Sequence, residues 1–121
     1  MEMLDKGEIM KLWIDDVRPA PEGYIWARST DEAILIIDSY SRWLDFLAYR
    51  VDEPQTLPWF EVIDIDHDAG NFAVCSGDFI KVLDWMEENH LKAPIRIHSM
   101  NPVGVENMRR TIERNGWKEI K

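Results

Sequence analysis

The sequence predicts a single-domain α/β protein built on a doubly wound, mostly parallel five-stranded sheet. Three observations carry that prediction. Short apolar runs that end in polar residues recur along the chain. Amphipathic stretches of helical period separate the later ones, and glycine, proline or asparagine marks the junctions. Strands that alternate with helices pair in parallel, because each crossover uses a helix to return the chain. The domain is expected over residues 10–121, with residues 1–9 as an N-terminal extension.

The first run, MKLWIDD at 10–16, reads as a buried strand ending in two acids. RPAPEG follows at 18–23, and its two prolines and glycine exclude a long regular element there. YIWARS at 24–29 has the aromatic and branched residues of a second strand. Ser29 and Glu32 then form a capping box, with Thr30 as the alternative cap. Ala33, Ile34, Ile36, Ile37 and Tyr40 supply an apolar helical stripe. SRWLDFLAYR at 41–50 adds helix, as a continuation or after a break near 39–41, and DEPQTLP at 52–58 is a connector. WFEVIDID at 59–66 is the third strand.

After AGN at 69–71, Phe79, Val82, Leu83 and Met86 recur at helical spacing, with Ser76 or Asp78 as the cap. PIRIHS at 94–99 is the fourth strand. The last helix spans NPVGVENMRRTIERNG at 101–116, with Asn101 at the N-cap, Pro102 in the first turn and Gly116 at C′. WKEI at 117–120 closes the sheet as a short fifth strand.

Composition narrows the function. The chain has 121 residues, 45% hydrophobic and 31% charged, which places it among ordinary globular domains. A net charge of −9 argues against duplex DNA as a partner, since duplex binding needs a basic face that displaces counterions. Cys75 is the single cysteine, so neither an internal disulfide nor a thiolate metal cluster is available. No apolar run reaches the length of a membrane span, and a cytoplasmic protein is expected. The six tryptophans, Trp13, Trp26, Trp43, Trp59, Trp85 and Trp117, read mainly as core and helix-packing residues, although an exposed one could stack on a base.

In a parallel α/β sheet the chemistry collects beyond the carboxyl ends of the strands. Those ends carry Asp15 and Asp16, Arg28, Asp66 with His67 and Asp68, and His98 with Ser99. Asp15, Asp16 and Asp66 are oxygen donors suited to Mg2+ or Mn2+, since converging carboxylates repel unless a cation or proton relieves them. A solvated turn is the competing reading of the acid pair. Arg18 and Arg28 have guanidinium forks for a phosphate or for a carboxylate. Ser99, Asn101 and the helix start behind them form a phosphate cradle or satisfy local backbone, and both jobs can coexist. His67 and His98 each read alone as structural or exposed, but two on one edge could act as an acid–base pair on a phosphodiester, with Asp68 orienting one of them. Asn107 reaches this edge only if it faces the sheet top. His90 reads as a solvated or helix-ending residue.

LWIDDVRPAPEGY, WARSTDEAI, IDIDHDAGN, SGDFIKVLDWMEEN and IHSMNPVGVENMRR together resemble the cyclic-phosphate-processing receiver-like family, from about residue 11 to 118. The resemblance implies a receiver-like, flavodoxin-like fold and an activity on cyclic nucleotides or cyclic-phosphate RNA ends. It implies that Asp15 and Asp16 are the paired magnesium-holding acids, Asp66 the strand-end aspartate phosphorylated in true receivers, and Ser99 the residue that contacts the phosphoryl group. Departures accompany it, among them His67, Asp68 and His98, which phosphotransfer signalling does not need, and an extended 41–58 region. RPAPEG replaces the helix normally found between the first two strands, and the receiver lysine has only Lys118 or Lys121 as a substitute. The expected function is therefore a metal-assisted phosphodiester hydrolase. A phosphorylated small molecule or an RNA terminus is its expected partner. The alternatives are a non-enzymatic sensor of a phosphorylated nucleotide and a receiver-like domain that binds a protein partner.

Overall fold

A computed structural model of the protein describes residues 10–48, 55–56, 60–67 and 78–121. The extension at 1–9, Asp68 and Ser76 lie outside the described residues.

Alternating burial makes Met10–Ile14 a strand (β1), and the apolar–aromatic run Tyr24–Ala27 makes the next (β2). Between them RPAPEG forms no helix, as expected. Helix α1 spans Thr30–Ala48 without a break. Ser29 starts it, its hydroxyl accepting the Glu32 N–H at 3.1 Å, while the Glu32 carboxylate accepts the Arg28 N–H at 2.6 Å. The reciprocal bond of the capping box is thus shifted one residue outward. Phe60–Ile65 is the central strand β4, and Ile95–Ile97 is β6. Helix α2, Ile80–Glu88, lies between them, and helix α3, Pro102–Asn115, follows β6.

The main sheet is parallel, in the order β2-β1-β4-β6. The chain starts at β1, moves one way to β2, then returns and proceeds the other way, which is the doubly wound pattern. The expected fifth strand is reduced to a single parallel bridge from Glu119 to Ile95, flanked by hydrogen bonds to Lys118 and Ile120. A second, two-stranded sheet pairs Gln55–Thr56 (β3) with Leu91–Lys92 (β5). The sequence reading missed it, because two residues carry no periodicity.

Side-chain alternation puts Leu12, Ile14, Ile63, Ile65 and Ile95 on one face of the sheet, where they join Ala33, Ile37, Val82, Leu83, Met86, Met108 and Ile112 in the core. The three crossovers after β2 all run in the same direction across the sheet. Right-handed connections therefore place α1, α2 and α3 on this one face. The missing first helix is the one that would have crossed to the other side. Among the described residues no helix covers that second face, which carries Trp13, Tyr24, Trp26, Asp64 and Arg96 in register. Trp117 is in the core, but Trp13 and Trp26 are half-buried on the helix-free face, contrary to the core role expected of them.

Candidate functional site

Asp15 follows β1 and Asp66 follows β4, the two strands that flank the point where the chain reverses direction. Parallel sheets open a crevice at this point. Backbone pairing continues past the strand ends: Asp15 N–H donates to Ala27 O, Asp66 N–H to Ile14 O, and His98 N–H to Ile65 O. These bonds carry Asp15, Arg28, Asp66 and His98 onto one edge.

The acids converge. One carboxylate oxygen from each of Asp15, Asp16 and Asp66 lies within 4.8 Å of the others, an arrangement that could hold a metal ion. The three environments differ. Asp15 is 1% exposed, and its Oδ1 accepts the Val17 and Arg18 N–H groups at 2.8 and 2.9 Å. Asp66 is half-buried, and its Oδ1 accepts the His67 N–H at 2.7 Å. Asp16 is the strained member. Burial raises its pKa from the ordinary carboxylate value, and the Asp15 and Asp66 charges add to the rise, against the opposing effects of a backbone hydrogen bond and Arg28. A hard cation among these oxygens would relieve that repulsion, so the donor set fits Mg2+ or a similar ion.

His98 is fixed between two buried carboxylates. Its Nδ1 lies 2.6 Å from Asp64 Oδ1 and its Nε2 2.9 Å from Asp15 Oδ2. Trp13 stacks on the ring, with centroids 3.9 Å apart and planes 8° from parallel. Burial opposes a charge on the ring, but hydrogen bonds and Coulombic attraction from Asp64 and Asp15 more than offset it, and the pKa rises. His98 is thus favoured as an imidazolium with both N–H groups donated. Arg18 completes the circuit: its Nη1 donates to His98 O at 3.2 Å, and its own carbonyl accepts the Trp13 indole N–H at 2.9 Å.

The structure does not unite the two histidines. His67 is 9% exposed and lies on the helix side, where a Cβ at Gly104 of α3 would run into its Cγ. His98 lies against Trp13 on the opposite face. The acid–base pair expected of them is therefore not formed, because successive strand positions project to opposite faces. Ser99 Oγ accepts the Asn101 N–H at 3.1 Å, and Asn101 Oδ1 accepts the Gly104 N–H at 3.0 Å, so both perform the local jobs expected of a helix start. Asn107 is exposed on α3 and bonds Arg110, so it is not brought to the edge. Arg28 is exposed, its guanidinium 4.8 Å from the Trp26 ring centroid and its Nη2 3.5 Å from Asp16 O. Lys118 pairs with the start of β6, the end of the strand remote from the acids.

Asp64, one of the carboxylates crowded into EVIDIDHDAGN, has a role that the sequence does not assign. It is 2% exposed within β4 and holds His98, with Arg96 3.9 Å from its second oxygen. The signal was available: an acid inside an otherwise apolar strand must have a buried partner.

A parallel receiver-like α/β domain with a cation-competent acidic cluster at its carboxyl edge is thus defined. The chain belongs to the family described as the cyclic-phosphate processing receiver domain, which it matches over residues 10–114. No curated protein and no solved structure matched it.

Proposed function

We propose that the protein is a metal-assisted phosphodiester hydrolase acting on cyclic nucleotides or on cyclic-phosphate RNA ends. The convergence of Asp15, Asp16 and Asp66 at the switch point, in a chain of this family, is the observation that carries this reading. In it, Asp16 and Asp66 hold Mg2+ or Mn2+ together with the more deeply buried Asp15. When bound, the cation would neutralise phosphate charge and supply a water of lowered pKa. Arg18 and Arg28 attract the phosphate, with the Ser99 hydroxyl and the first turn of α3 behind it. His98 serves as a fixed positive charge that orients Asp15 and Arg18, since each of its ring nitrogens is engaged by a carboxylate. Asp68 is kept as the residue that orients a histidine.

One observation favours a second reading, a non-enzymatic sensor of a phosphorylated nucleotide. Neither histidine is placed as a ready proton shuttle, and a sensor needs none.

The test is ring opening of 2′,3′- and 3′,5′-cyclic nucleotides and of cyclic-phosphate-ended RNA, with and without Mg2+ or Mn2+. Metal-dependent turnover is expected. Asp66→Ala should lower it by at least about 10²-fold through lost electrostatic stabilisation. His98→Ala should lower it by about 10²-fold through misplacement of Asp15 and Arg18. Saturable binding with no turnover would select the sensor, and neither would overturn both readings.

A further inference from the structure

We propose that Arg28, lying over the Trp26 ring, is a plate for the base of the nucleotide or unpaired nucleotide end proposed above. This rests on the phosphate-binding reading above and adds the part of the ligand that the acids and the cation do not recognise.

Three observations converge on the plate. The first is its own geometry. The Arg28 guanidinium carbon lies 4.8 Å from the Trp26 ring centroid, and the Trp26 indole N–H donates to Asp15 O at 2.7 Å, which fixes the ring beneath it. The guanidinium thus lies over an anchored ring, while the side chain as a whole is exposed. Guanidinium planes and aromatic rings are the surfaces on which proteins stack unpaired bases.

The second is the setting. Trp26 and Trp13 are direct register partners on β2 and β1, and Trp13 meets Tyr24 edge to face at 5.7 Å. These rings belong to the face that no described helix covers. Lys11 lies 5.5 Å from the Tyr24 ring, and Arg28 and Arg96 join it on the same face. Cations gathered among aromatics, on a chain of net charge −9, complement a ligand that is both anionic and flat.

The third is continuity. Arg28 Nη2 is 3.5 Å from the carbonyl of Asp16, a member of the acidic cluster. A base on the plate would therefore lie next to the loop that carries the cation-competent acids.

The test is calorimetric titration of the whole chain, in the presence of Mg2+, with AMP, ribose 5-phosphate and adenosine. AMP is expected to bind roughly tenfold or more tightly than ribose 5-phosphate, the increment of one stacked base. The Trp26 indole N–H resonance should shift further with AMP than with ribose 5-phosphate, which reaches it only through Asp15. Arg28→Lys, an exposed change that keeps the charge and removes the flat stacking surface, should bring the two affinities toward parity, whatever it does to either alone. Equal affinity for AMP and ribose 5-phosphate in the unaltered chain would overturn the plate while leaving the phosphate reading standing. Adenosine binding as tightly as AMP would do the reverse. A base preference that survives Arg28→Lys, or no binding of AMP, would also overturn the proposal.

Discussion

His98 shows how burial changes what a residue can do. A strand-end histidine reads naturally as one of an acid–base pair, but each nitrogen here faces a buried carboxylate, and the two favour the charged ring. The folded-state pKa lies above the ordinary 6.5. The stabilisation is therefore complete below pH 6.5, where His98 is charged in both states, and is lost as pH rises through the folded value. Urea unfolding across this window should show stability falling with pH in the native chain, with a flatter slope in Asp64→Asn. Equal slopes would separate Asp64 from the charge on His98. Gly104 offers a second test at the same scale. A methyl group there has no room beside His67, so Gly104→Ala should destabilise by about 1–3 kcal/mol in the same unfolding measurement.

Helix α3 was the most legible element, because its ends are written in side-chain chemistry. Asn101 caps it, Pro102 begins it and Gly116 ends it at φ 69°. Asn101→Ala should cost about 1 kcal/mol of stability by thermal or urea unfolding, and an unchanged midpoint would mean that the cap is compensated elsewhere. Helix α2 was less legible. Its apolar stripe was clear, but Asp78 does not cap it. The helix begins after Phe79 with no side-chain cap, and the Phe79 N–H is satisfied by His67 O. That partner lies just past the end of β4 and leaves no local trace. Its C-terminal end is also unusual: His90 adopts the left-handed conformation that glycine usually supplies, which agrees with the helix-ending role read for it. The strand ends were legible as a set, since each apolar run stops at a charged residue. Which side chains meet was not, because the answer depends on register. One position separates His67 from Asp66, and that step sends the two to opposite faces of the sheet.

At the scale of the whole molecule, the missing first helix is the departure with the widest consequence. It leaves the three described helices on one face and opens the edge above Trp13 and Trp26. The acids stay where a doubly wound sheet places them. Among the described residues no helix is long and apolar enough to cross a membrane. The net charge of −9 would repel an anionic ligand over much of the surface, so the local cations and a bound metal ion have to reverse that field at the edge. Moderate salt should therefore weaken nucleotide binding far less than it weakens a duplex-binding protein, with a shallow slope in a salt titration.

The central claim is that Asp15, Asp16 and Asp66 form one cation site. Titration with Mn2+, followed by the loss of its free electron paramagnetic signal, tests that claim without assuming any substrate. Saturable binding of one ion per chain is expected, weakened by at least about tenfold in Asp16→Asn and in Asp66→Asn and displaced by Mg2+. Binding that is absent, or equally strong in both variants, would contradict it.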